Sequence, residues 1–136
     1  MEISVSSVQG KVPVGVIALD GRLDGQNYQE LIAKAGELYQ AGTRNILLDL
    51  SKLVYISSAG IVALHTIALM LRGEAVPDPE QGWAAVKAAD RTRESGVQQH
   101  LKLFNPQPEV ASVLDMVGFT AYFEIFTDRD KAIAAF

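Results

Sequence analysis

The stretch from Ile46 to Leu71 constrains this chain more than any other part of it. Ile46 to Leu50 is a short, nearly continuous apolar run, the pattern of a central strand covered on both faces. A short connection holding Tyr55 leads to Ser57 and Ser58, and an apolar helix is expected to start near Gly60. That helix carries Ile61, Val62, Leu64, Ile67, Ala68, Met70 and Leu71. It is apolar most of the way round, so it should be largely buried, with Gly73 ending it. A strand, a serine turn and a helix start in succession can expose a hydroxyl and hold an anion. The first helical amides lack intrahelical partners there, and the helix dipole is positive. A serine at that point is either a helix cap or a switch.

The flanks alternate in the same way. Residues 3–8 place Ile3, Val5 and Val8 among serines and predict a first edge strand. Val12 to Leu19 is rich in β-branched residues, with Asp20-Gly21 as its closing turn. Tyr28, Leu31, Ile32, Ala35, Leu38 and Tyr39 fall on one helical face, Gly42 ends the run, and Asp24 or Asn27 is placed to cap it. Residues 74–100 change character and read as a surface insertion with a short helix from about Glu80 to Glu94. Leu101 to Phe104 is a strand ended by Asn105-Pro106. Val110, Val113, Leu114 and Val117 predict a helix closed by Gly118, and Tyr122 to Phe126 a short strand. Thr127 and Asp130 resemble a capping pair before a last helix, Lys131 to Phe136. Strands alternating with helices imply βαβ units: one α/β domain over residues 1–136. A mostly parallel central sheet of four to five strands is expected, flanked by about four to five helices.

Composition narrows the function. A net charge of −4 argues against nucleic acid or anionic lipid as the default partner, since either would favour a basic face. There is no cysteine, so there is no disulfide or thiol chemistry. The two histidines, His65 and His100, are not in a metal-binding spacing, and neither a metal nor a cofactor is expected. No signal peptide is read at the N-terminus, and the apolar stretch from about Ile56 to Leu71 is too short to span a bilayer. A cytoplasmic protein with no direct membrane insertion is the expectation.

Four pieces of the chain, in order, resemble the STAS domains, the anti-sigma-factor antagonists and their relatives. Leu48-Asp-Leu-Ser51 followed by Tyr55-Ile-Ser-Ser-Ala-Gly-Ile61 is similar to the central signature of that family. Gly21-Arg-Leu-Asp24 resembles its first turn. Asn105-Pro-Gln-Pro-Glu-Val-Ala-Ser-Val-Leu114, with Val117-Gly118 and Tyr122-Phe123, resembles its C-terminal half. The resemblance covers nearly the whole chain apart from residues 74–100. In the antagonists the strand-to-helix turn usually reads Asp-Ser-Ser-Gly, and its first serine is phosphorylated by a kinase that is also the anti-sigma factor. Anchored on Gly60, that serine matches Ser58. Ser57 stands where the family often has Asp, and Ala59 where it often has the second Ser. The resemblance implies a non-enzymatic module with Ser58 as phosphoacceptor. It implies partner contacts at Asp24, Gly25, Ser57, Ser58, Ala59 and Gly60, and an anti-sigma factor/serine kinase as partner. Homodimerisation stays open.

Each of these residues also has a plainer reading. Ser58 as an N-cap would contribute about 1 kcal/mol. Asp24 is equally a helix cap, and Arg22 a solvated strand end. His65 lies seven residues past Ser58, roughly 10 Å down the helix. That is too far to pair with the hydroxyl, so it reads as a core-edge histidine. Trp83 docks onto the domain or anchors a partner, the former favoured. No nucleophile elbow, phosphate loop or metal-binding helix is present, so no catalytic residue is assigned. The alternative function is a STAS scaffold or sensor subunit of a stressosome-type or lipid-transport assembly without a phosphoswitch.

Overall fold

The computed structural model describes residues 1–73 and 98–136. Its described elements run β1 (Glu2–Gln9), β2 (Pro13–Leu23), α1 (Tyr28–Gln40), β3 (Ile46–Ile56), α2 (Ser58–Leu71), β4 (Gln98–Phe104), α3 (Pro108–Met116), β5 (Phe123–Phe126) and α4 (Arg129–Ala134). The predicted helix at Glu80–Glu94 and Trp83 lie outside the described residues.

The five strands form one sheet in the order β1-β2-β3-β4-β5. Only β1 is antiparallel to its neighbour; the other three pairings are parallel. The period of two sorts the strand residues onto two faces. Ile17, Leu19, Ile46, Leu48, Leu50, Leu101 and Leu103 face the larger core, built with Leu31 and Ala35 of α1, Ile61, Leu64 and Ile67 of α2, and Val110 and Leu114 of α3. Val14, Val16 and Leu47 face the other way, against Ala132 and Ile133 of α4. A mixed α/β fold with helices over a mostly parallel sheet is therefore what the chain adopts, with four helices among the described residues.

Helix ends follow local chemistry. At the close of α1 the amide of Gly42 donates to the Tyr39 carbonyl at 3.0 Å and that of Thr43 to Leu38 at 2.9 Å. This pair of closing bonds puts Gly42 at φ +105°, where a side chain would be strained. Gly118 and Phe119 repeat the same pair onto Asp115 and Leu114 after α3. The last helix is capped by Asp128, whose carboxylate accepts from the amides of Asp130 and Lys131. That corrects the expected Thr127–Asp130 pair by one residue.

Three expectations about the strands and the core need correction. The strand read as Ile46–Leu50 continues to Ile56, taking in Tyr55, because β2 also runs on past Asp20-Gly21 and pairs with it as far as Leu23↔Ile56. Register shifts between Ala18 and Asp20 and between Gly21 and Arg22 absorb the expected turn without ending the strand. The fourth strand begins at Gln98, inside the segment read as insertion, where the Gln98 amide donates to the Tyr122 carbonyl. His65 is fully buried, not at the core edge.

One buried charge was not anticipated. Lys102 is 1% exposed on β4. Its ammonium donates to Glu124 of β5 at 2.8 Å and lies 5.2 Å from the Phe136 ring centroid. Such a charge is tolerated inside because a carboxylate meets it.

Candidate functional site

The end of β3 is where the sheet hands the chain to α2. Beyond Asp49, β3 has no strand partner on its β4 side among the described residues, since that pairing covers only Ile46–Asp49. Gln107 donates its Nε2 to the Ser51 carbonyl at 2.9 Å on this freed edge. Leu53 and Ile56 remain buried, whereas Val54 and Tyr55 are exposed. The Ser57 amide then donates to the Leu23 carbonyl at 2.9 Å. That bond sets the serine turn directly beside the loop that starts at Asp24.

The cap is Ser57, not Ser58. Ser57 sits in extended backbone and its Oγ accepts from the Gly60 amide at 3.4 Å, while its carbonyl accepts from the Ile61 amide. Ser58 is thus the first residue of the helix, two positions earlier than expected, and it is exposed. Of the four amides that open the helix, those of Ser57 and Gly60 are taken within the domain. Those of Ser58 and Ala59 have no acceptor among the described residues. The Ser58 hydroxyl is free of the capping duty and stands at the positive end of a 14-residue helix. Ser57→Ala is expected to lower stability by about 0.5–1 kcal/mol, the small end of the N-cap range because the bond is long. Ser58→Ala should leave the urea midpoint nearly unchanged.

Gly60 is buried beneath the turn. A Cβ there would lie 2.6 Å from Ile56 Cγ1 and 3.0 Å from Leu23 Cγ and Cδ2, so nothing larger than glycine fits without movement. Its place is structural, and it offers no side chain to a partner. Gly25, by contrast, is exposed with open space around its Cα. Asp24 and Asn27 are bonded to one another and to their neighbours, and neither side chain caps α1, although the Asp24 carbonyl accepts from the Tyr28 amide at 3.0 Å. Asn27 Oδ1 accepts from the Asp24 amide at 2.9 Å, and Asp24 Oδ1 accepts from the Gln26 amide at 3.0 Å. Asn27 occupies the N-cap position of α1 without a side-chain cap bond. The Ser57–Leu23 bond thus sets Ser57, Ser58 and Ala59 next in space to the strand end that leads into Asp24 and Gly25, while Gly60 is buried.

One feature beside the turn was missed. Arg22, read as a solvated strand end, lays its guanidinium over the Tyr55 ring at 4.2 Å. The two are cross-strand partners, so the stack sits one pair before Leu23↔Ile56. The only signal in the sequence was an aromatic residue in a supposed loop. No helix among the described residues is long and apolar enough to cross a membrane.

The model of the STAS domain matches residues 6–76, more than half the chain and all of the turn just described. The chain belongs to the STAS domain family. A candidate anti-sigma factor antagonist of Bordetella bronchiseptica, BtrV, is 27% identical over all of this chain and 95% of its own length. Among solved structures, a candidate anti-sigma factor antagonist of Thermotoga maritima superposes with a TM-score of 0.69 at 16% identity, covering 96% of this chain and 90% of that one. SpoIIAA of Bacillus has been solved in two states. The unphosphorylated form gives 0.59 at 20% identity, covering 97% and 93%, and the phosphorylated form 0.56 at 18%, covering 97% and 96%. These neighbours share the fold of this STAS domain, and their names describe regulators rather than catalysts.

Proposed function

We propose that this STAS domain is a non-enzymatic interaction module of the anti-sigma-factor antagonist type, switched by phosphorylation of Ser58. Its partner is an anti-sigma factor that is also a serine kinase, met in the cytoplasm through Asp24, Gly25, Ser57, Ser58 and Ala59. The observation that carries this reading is the exposed Ser58 hydroxyl at the first helical position, relieved of capping by Ser57. The likeness to BtrV and to SpoIIAA, a protein known in a phosphorylated form, supports it.

The physics requires no catalysis by this chain. A phosphate on Ser58 adds about −1.5 to −2 charges at the helix tip. The free amides of Ser58 and Ala59 donate to it locally, for a gain of about 0.3–1 kcal/mol at an exposed site. A partner seated on the same tip must desolvate that charge or leave, at a loss on the order of a hundred-fold in affinity. Binding is then switched off while the fold stays as it is. The changed acidic neighbour, Ser57, removes one like charge from beside the acceptor and replaces it with the helix cap.

The test is intact mass and affinity with a serine kinase of the anti-sigma type. Wild type should gain one phosphate, Ser58→Ala none, and Ser58→Asp should bind on the order of a hundred-fold more weakly. A wild type that is never modified, with Ser58→Asp binding as tightly, would leave the domain as a scaffold without a switch.

A further inference from the structure

We infer that the domain pairs with a second copy of itself through the outer edge of β1, joining the two sheets antiparallel about Val5. The edge strand at this end of the sheet is eight residues long. It pairs with β2 in unbroken register from Glu2↔Asp20 to Gln9↔Pro13, so no bulge twists its edge away. From Ile3 to Gln9 it has no charged residue and no proline. Folded proteins ordinarily guard a free edge with those devices, or keep it short. The opposite edge is guarded: β5 has four residues and carries Glu124.

Hydrogen-bond parity fixes which groups the edge presents. The Gly15 amide donates to Asn45 at 2.9 Å, toward β3, so Gly15 and its cross-strand partner Ser7 are not a hydrogen-bonded pair. The N–H and C=O of Ser7 therefore point outward, and by alternation so do those of Val5 and Ile3. Two such edges can meet antiparallel only with odd residues opposite odd residues. With Val5 on the two-fold axis, Val5 faces Val5 of the partner subunit. Ile3 then faces the partner's Ser7, Ser4 faces the partner's Ser6, and Glu2 faces the partner's Val8.

Side chains agree with that register. Val5 is 43% exposed, although its cross-strand neighbour Ile17 is fully buried in the larger core. Ile3, on the same face, already packs against that core. The Val5 pair would extend the core across the axis and close its exposed margin. No like charges meet, although each copy carries −4 overall. A register with Ser6 on the axis would instead set Val5 against Ser7 and lose the apolar contact. The arrangement is isologous and closes at two subunits, because each copy has one such edge.

The native chain has no cysteine, which makes the test clean. Light scattering on the purified protein should give twice the chain mass. Val5→Lys should halve it, and Met116→Lys, at an 80% exposed site away from the edge, should not change it. The Val5 backbone bonds point outward, so Val5→Lys leaves the β1–β2 ladder whole. In Val5→Cys the only thiol of each copy faces its twin about 5.5 Å away between Cα atoms, within disulfide range. Oxidation should yield a covalent dimer, and Met116→Cys should yield none. A wild type that stays at one chain mass throughout the micromolar range would overturn the inference. So would a dimer that survives Val5→Lys, or a Val5→Cys protein that does not cross-link.

Discussion

Leu23→Ala should cost about 2–5 kcal/mol in urea unfolding, the cost of removing a buried leucine and leaving a cavity. Leu23 ends β2 fully buried, and its carbonyl holds the Ser57 amide. Its side chain fills the space over Gly60. The cost should sit high in the range because the site cannot collapse easily. The β2–β3 pairing at Leu23↔Ile56 and the start of α2 fix the walls on two sides. Because the backbone bond to Ser57 is unaffected, the variant should keep its helix content while losing midpoint.

Gly60→Ala is the converse experiment. Here a methyl is forced to within 2.6 Å of Ile56 and 3.0 Å of Leu23, both buried, at a cost of about 1–3 kcal/mol for overpacking. Alanine is the better helix former, by roughly 1 kcal/mol, so an observed loss reports the clash over and above that gain. Combining the two is the sharper measurement. In Leu23→Ala/Gly60→Ala the new methyl enters the space the leucine has left. The double variant should be more stable than the sum of the singles by about 0.5–3 kcal/mol. Strict additivity would place the cost of Gly60→Ala at Ile56, the nearer contact, and not at Leu23. The same variants address the switch: a tilted first turn of α2 would move the Ser58 hydroxyl without touching it.

Much of this was legible in the sequence, for physical reasons that can be named. Ile46–Leu50 and Ile61–Leu71 are apolar on all sides because one is a central strand and the other a helix with eleven buried residues. Nothing in their patterns competes with that reading. The glycine stops at Gly42 and Gly118 are just as plain, since only a left-handed residue completes those closing bonds. The misses cluster where the sheet becomes thin. From Ser51 to Ile56, β3 is paired on one side only among the described residues, so its exposed residues outnumber the buried ones and the stretch imitates a loop. Asp20-Gly21 imitates a hairpin turn, but pairing with β3 carries the strand through it. The plainer reading of Ser58 as the cap is off by one residue because two serines in a row are equivalent by composition. Only the position of Leu23, distant in sequence, decides between them. Lys102 was invisible because its partner Glu124 lies 22 residues away on another strand.

The one-sided extension of β2 and β3 also sets how the serine turn is approached. Past Asp49 the two strands run on paired with each other and, among the described residues, not with β4; Gln107 bonds to Ser51 along this stretch, and Ser57 and Ser58 follow its end. Ser58 is exposed there, so on the proposed reading a partner reaches its hydroxyl without displacing any described element of this domain. Modification there needs no prior opening of the fold, so its rate would follow encounter and chemistry and be insensitive to global stability. Destabilised variants would then remain good substrates for as long as the β2–β3 pairing beside the turn stays intact.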